Sequence, residues 1–323
     1  MTRTAAMSPG AATRSHRLRT APMVWWAAIG GLALIAQTIV FGRWLAAGGF
    51  HPVPTSGRTI TRSWQITTWV GQLAVAIAVV VCVVVVWRQC RRAHRITLDA
   101  ALVLGFGSAA WLLPMYSWRN LTMVENPFAL NASTWGPYIP SWTGPVPGLQ
   151  AATASTTLMM FLTVVWVWIQ RWAVSRVVRV RPHWGIARRL LATVPFMMFV
   201  CWVLELGAIL MSVYAYPFAP RNLSVFGGRW FQVPVINIVT MIMQPAAVVL
   251  MEQLADEKGR TIAVFRGADS LGRRATAVLR LLAGVGLCNV IALVFVGVFL
   301  TLTAAAGHDP LPVDFPRHMW LPN

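Results

Sequence analysis

Carboxylates are scarce in this chain and lysine is all but missing. Nine Asp and Glu are spread over 323 residues, and Lys258 is the only lysine among 27 basic residues. So strong a preference for arginine suggests a GC-rich, bacterial genome. The sequons at Asn120, Asn131 and Asn222 therefore read as chance rather than as glycosylation sites. Cysteine is sparse as well. Cys82, Cys90, Cys201 and Cys288 form no C-x-x-C and read as small apolar side chains. The six histidines (His16, His51, His94, His183, His308 and His318) form no H-x3-H cluster, which argues against a histidine-rich membrane oxygenase or desaturase. His308 and Asp309 in "GHDP" read as part of a mobile tail rather than a metal site. No P-loop, dinucleotide fingerprint, G-x-S-x-G or Asp-rich pyrophosphate motif occurs. ATP, NAD, serine-hydrolase and prenyl-pyrophosphate chemistry lose most of their support, and no cofactor or metal is expected. An internal repeat of the transporter kind is also absent.

What the chain has is apolar surface: 57% of its residues, with 17 Trp. Seven windows, near 23–44, 68–87, 96–116, 151–170, 190–213, 233–252 and 281–303, are apolar enough to span a bilayer. The expected fold is all-α, a polytopic membrane bundle of about seven helices. Residues 1–22 read as a basic cytoplasmic tail. Residues 23–303 read as one transmembrane domain with structured outer loops 117–150 and 214–232, and 304–323 as an extracytoplasmic tail. The first window follows a basic stretch as a signal peptide would, but its length and the "QTIVFGRWLAAGGF" after it make it a retained span. Of the 27 basic residues, 20 fall in the N-terminal tail and in alternate connections, "RQCRRAHR" among them, and 7 on the other side. That asymmetry places the N-terminus in the cytoplasm and the C-terminus outside. It also accounts for the net charge of +18 without nucleic acid, and makes anionic membrane lipid the expected partner of the inner loops. The oligomeric state is not legible.

One carboxylate interrupts the apolar run "CWVLELGAIL": Glu205. A charge at such depth costs roughly 2.5–3.5 kcal/mol even on insertion scales. Other polar residues gather at similar depth. Gln37 and Gln72 lie in the outer half, and Asn237, Thr240 and Gln244 form an i, i+3, i+7 stripe on one helix face. Asn289 is expected nearer the inner side. Two readings of Glu205 stay open. As a structural group it would hydrogen-bond to Asn237 or Gln244 and lock the bundle. As a functional group it would hold its proton, since burial disfavours the ionised form, and serve as a general acid. Ion transport is a third, weaker reading. Two connections are too rich in Trp, Tyr, Pro and Asn for solvated linkers: "YSWRNLTMVENPFALNASTWGPYIPSWTGPVPG" and "YAYPFAPRNLSVFGGRWFQVP". The first is expected to fold back as a lid over the bundle. The alternative for both is an aromatic belt with turns.

At these loops the chain resembles the AveC-like spirocyclases of actinobacteria, multi-span proteins of avermectin-, milbemycin- and meilingmycin-type macrolide pathways. The resemblance runs from about Pro22 to Pro234, more weakly beyond, and rests on Asn126, Asn131 and Trp135 in "NPFALNASTW" and on Glu205, Tyr214, Tyr216 and Pro217. Where many relatives carry Asp-Pro at the end of span three, this chain has "LLPMYSW" with Pro114, so that role is missing or has passed to Glu125. The resemblance implies an enzyme that closes a dihydroxy-ketone of a macrolide polyketide into a spiroketal with loss of water. It also implies a second dehydratase activity in some members.

That chemistry needs an acid, a base and a pocket, and no redox group. Glu205 is the candidate acid and Glu125 the second candidate catalytic carboxyl. Asn126 and Asn131 would orient hydroxyls. Trp135, Tyr214 and Tyr216 would pack against the polyketide, and Asn237 and Gln244 would complete the substrate site. A terpenoid-type membrane cyclase and a non-enzymatic transporter or accessory protein are the competing readings.

Overall fold

The computed structural model describes residues 21–55, 57–119, 121–144, 150–267 and 271–319. The expected N-terminal tail through residue 20, with Arg3, Arg14, Arg17 and Arg19, lies outside these residues, as do Asn120, residues 145–149 and the last four positions of the sequence.

Long apolar sequence becomes long helix, because backbone groups in hydrocarbon must pair within their own segment. Among the described residues seven helices are long and apolar enough to be spans: Pro22–Ala46 (α1), Arg62–Ala93 (α2), Leu98–Ser117, Ala154–Val180, Ile186–Leu210 (α6), Val235–Asp256 (α7) and Arg273–Ala306 (α8). They fit a multi-pass membrane protein. The third span is α-helical over Leu98–Ser108 (α3) and tightens to a 3-10 helix around Pro114. The fourth is built from Ala154–Met159 (α4), a 3-10 turn, and Thr163–Val180 (α5). At 1.5 Å per residue the 32 residues of α2 reach about 48 Å, beyond a hydrocarbon core of about 30 Å. It is long enough to carry its last turn, with Arg91 and Arg92, past such a core.

The bundle closes around α8, which packs on α1, α3 and α7. Small residues allow the approach: a Cβ on Gly30 would overlap the Leu282 carbonyl, and one on Gly286 the Trp26 carbonyl. Dispersion between close backbones drives such contacts where lipid is as apolar as the side chains. Asn289, expected nearer the inner side than the other polar groups, is bonded to one of them, Gln37. It accepts from Trp111 Nε1 at 2.8 Å and Gln37 Nε2 at 3.4 Å, and donates to Ser108 Oγ at 3.0 Å. Near the other end of the bundle Arg171 is bidentate to Glu252 (2.8 and 2.8 Å) and bonded to Asp99 at 2.6 Å, tying spans three, four and six.

The connections at one end interlock into a cap, the loop face. Val124–Glu125 (β1) pairs with Tyr214–Ala215 (β4), Asn131–Ser133 (β2) with Ala151–Thr153 (β3), and Ser224–Val225 (β5) with Val233–Pro234 (β6). The region after α8 joins the cap rather than forming a mobile tail. Asp309 accepts from Arg221 N at 2.6 Å and Asp314 from Trp230 N at 3.0 Å, while Phe315 and Met319 bury against Val124 and Ala215.

Candidate active site

Helix α6 carries Glu205 between its buried residues Cys201 and Ala208 and ends at Leu210. The chain then reverses at Ser212, a non-glycine in the left-handed region (φ 58°), and returns as β4. This reversal brings the two tyrosines that follow back over Glu205. The Tyr216 hydroxyl donates to Glu205 Oε1 at 2.6 Å, and the Tyr214 phenol is directed at the same carboxyl. Pro234 caps α7 and sets Asn237 in its first turn, where Nδ2 donates to Glu205 Oε1 at 2.7 Å. Burial, and after it the neighbouring Glu205, hold the Tyr214 and Tyr216 phenols well above the ordinary tyrosine pKa. Both are neutral donors at physiological pH.

These groups line a cavity of about 120 Å³ between spans three to six. Gln244, two turns beyond Asn237 on the same face of α7, reaches it too. Asn237 Oδ1 and Gln244 Oε1 are buried acceptors with no partner among the described residues. Tyr116, Thr156, Met159, Trp166 and Met241 supply much of the remaining wall. Leu204 belongs to that wall and is also 51% exposed on the outer surface of α6. The cavity wall thus reaches the outer surface of the bundle.

Glu125 stands behind the wall. On β1, opposite Tyr214, it is buried and accepts from Thr153 N at 2.5 Å and from Thr156 Oγ1 at 2.6 Å. Desolvation lifts its carboxyl to about 7, against the lowering effect of the Thr156 and Thr153 hydrogen bonds. Thr156 is its link to the cavity.

The structure brings together Glu205, Tyr214, Tyr216, Asn237 and Gln244. It places Asn126, Asn131 and Trp135 elsewhere, because turn geometry consumes their polar atoms. Asn126 is fully buried and bonds Thr68 Oγ1 at 2.9 Å, Ser212 Oγ at 3.3 Å and Phe128 N at 3.0 Å. Asn131 accepts from Val53 N at 2.9 Å and donates to Pro127 O and Ala129 O. Trp135 donates to Trp111 O at 2.8 Å and packs on Phe41 and Trp44. The expected lid is therefore divided. Met123 covers the cavity, whereas the stretch around Trp135 rests on α1 and span three. Sequence reasoning missed Thr156 and Trp166. The run "TAST" at 153–156, polar at the start of a span, was the available signal.

The fold and the site fit a multi-span membrane protein whose cavity, among the described residues, holds one carboxyl, two phenols directed at it and two unpartnered amide acceptors. The chain belongs to the AveC-like spirocyclase family: the model of that family, described as "Spirocyclase AveC-like", matches residues 91–320. The match includes every residue lining the Glu205 cavity, begins later than the resemblance from about Pro22, and takes in the stretch beyond Pro234 where that resemblance weakens. No curated protein and no solved structure matches the chain. Membership implies a spiroketal-forming role in polyketide biosynthesis, and with it a small-molecule polyketide substrate.

Proposed function

We propose that the Glu205 cavity is where a dihydroxy-ketone segment of a macrolide polyketide closes to a spiroketal. The observation that carries this reading is the pair of unpartnered acceptors, Asn237 Oδ1 and Gln244 Oε1, beside a buried carboxyl. A substrate that donates two hydroxyls and presents one oxygen to be protonated matches that set. Addition of the first hydroxyl to the ketone gives a hemiketal. Protonated Glu205 gives its proton to the hemiketal hydroxyl, the C–O bond breaks and water leaves. The second hydroxyl oxygen then bonds to the oxocarbenium carbon, and its proton returns to Glu205. One water is lost, no electrons are transferred, and one carboxyl serves as acid and base in turn. Tyr216, Tyr214 and Asn237 hydrogen-bond to the carboxylate while it is ionised, and the carboxylate charge faces the developing cation.

A cavity this small is below the usual range for a whole drug-sized ligand. It suits the reacting segment alone, with the rest of the polyketide lying in the bilayer past Leu204. Spiroketals close without a catalyst, so the main contribution of the protein is to hold one conformer and set one configuration. Glu125 acts through Thr156 as a positioning residue, and Asn126, Asn131 and Trp135 fix the cap. Where a ring alcohol is lost to give an alkene, Glu205 protonates the departing hydroxyl, water leaves, and the resulting carboxylate takes the proton from the neighbouring carbon. We place the protein in the cell membrane of an actinobacterium, with its N-terminus in the cytoplasm and the loop face outside, in a macrolide antibiotic pathway of the avermectin type. Membrane vesicles carrying the protein, supplied with a dihydroxy-ketone, are expected to yield one spiro isomer by chiral chromatography. The isomer mixture of protein-free vesicles would overturn the assignment.

A further inference from the structure

At the end of the bundle away from the loop face lies a second, larger cavity, open and about 820 Å³. Its walls are the last turns of α2, the link to α3 and the first turns of α8. Arg91, Arg95, Arg273 and Arg280 all line it, and no acidic residue does among the described residues. Two of these guanidinium groups are held in place by backbone. Arg273 Nη2 donates to His94 O at 3.0 Å and Arg280 Nη1 to Ile96 O at 3.2 Å. Arg91 stacks over Trp87 at 4.7 Å. Guanidinium forks arranged in this way fit phosphate oxygens.

The apolar surroundings narrow the ligand further. On α2, Val80, Val84 and Trp87 are exposed and precede Arg91 at helical spacing, so a single face runs from hydrocarbon-like to cationic. Trp87, at the boundary, is the residue type that favours the headgroup level. A free anion would use the arginines alone, whereas a phospholipid would use both parts. We propose that this cavity binds the phosphate of an anionic phospholipid headgroup, with the acyl chains lying along the Val80–Val84–Trp87 face. The site is independent of the Glu205 cavity and of the chemistry assigned there.

The test uses the full chain purified in detergent and native mass spectrometry. Phosphatidylglycerol, phosphatidylcholine with the same acyl chains, and inorganic phosphate are titrated separately. The wild type should hold phosphatidylglycerol much more strongly than either of the others. Arg91→Gln/Arg95→Gln should weaken it about thirtyfold, each arginine near the surface contributing roughly fivefold. Arg179→Gln/Arg188→Gln, the same charge change outside the cavity, should leave it within about twofold. Monodispersity on gel filtration checks that each variant is folded, and the headgroup comparison on the wild type stands without any variant. Equal binding of the two lipids, equal loss in both double variants, or inorganic phosphate binding as tightly as phosphatidylglycerol would each overturn the proposal.

Discussion

Asn237 and Glu205 meet across the α6–α7 interface at 2.7 Å, the amide donating to the carboxyl. The pair joins two spans and shapes the cavity at once. Asn237→Leu should remove one donor from Glu205 and one acceptor from the cavity wall. A buried group that loses a partner costs about 1–3 kcal/mol, so a lower thermal midpoint in detergent is expected. The spiro isomer ratio should also move towards that of the uncatalysed reaction. An unchanged midpoint together with an unchanged ratio would show that the contact matters to neither.

Glu125 should make stability depend on pH. Its carboxyl is raised from 4.5 to about 7 by burial, so the folded state binds the proton more tightly than the unfolded state. Its stabilising contribution is fully present below pH 4.5 and is lost as pH rises through about 7, a difference of about 3 kcal/mol. Glu125→Gln retains an acceptor for Thr153 N and Thr156 Oγ1. It should flatten the fall in thermal midpoint between pH 5 and 8. Parallel profiles for the wild type and Glu125→Gln would contradict this.

His318 gives the opposite sign at a different place. Burial, with Arg58 nearby, lowers it from 6.5 to about 4, and its ring contacts Ser212 Oγ at 3.2 Å and stacks near Trp64. The stability it contributes is present above pH 6.5 and is lost as pH falls through about 4. Hydrogen exchange should show residues 309–319 opening as pH is lowered towards 4, and His318→Phe should reduce that opening. Exchange that does not accelerate, after correction for its intrinsic pH dependence, would refute the docking role.

Close approach of α1 and α8 predicts a sharp contrast between two glycines. Gly286→Val places a side chain against the Trp26 carbonyl, whereas Gly297→Ala meets open space. Overpacking costs about 1–3 kcal/mol or more. The first variant should lose most of the monodisperse protein recovered on gel filtration, and the second should retain it. Equal recovery would place the helices further apart than described.

The seven spans were legible because length and hydropathy alone decide whether a helix can cross a bilayer. Glu205 and Asn237 were legible for a related reason: a carboxyl in an apolar run must find polar partners, and the stripe on α7 was the nearest supply. Among the loop candidates only Tyr214 and Tyr216, which follow directly on the Glu205 helix, were legible. Asn126, Asn131 and Trp135 stand out in the sequence, yet where each side chain points depends on turns and on β2–β3 and β1–β4 pairing, which periodicity does not report. Arg171 reads as one more basic loop residue, while its pairing with Asp99 and Glu252 follows only from how three helices pack. The docked tail was hidden because Asp309 and Asp314 find backbone donors more than 80 residues away in sequence.

The central claim is that Glu205 supplies and recovers the proton of spiroketal closure. Glu205→Gln keeps the shape of the side chain and an oxygen to accept from Tyr216, but it cannot donate an acidic proton. With the dihydroxy-ketone supplied to membranes, Glu205→Gln should lose about 10²–10⁴ in catalysed rate and its isomer ratio should fall to that of the uncatalysed reaction, in a protein at least as stable as the wild type. A Glu205→Gln protein that closes the ring at the wild-type rate and with the wild-type isomer ratio would contradict it.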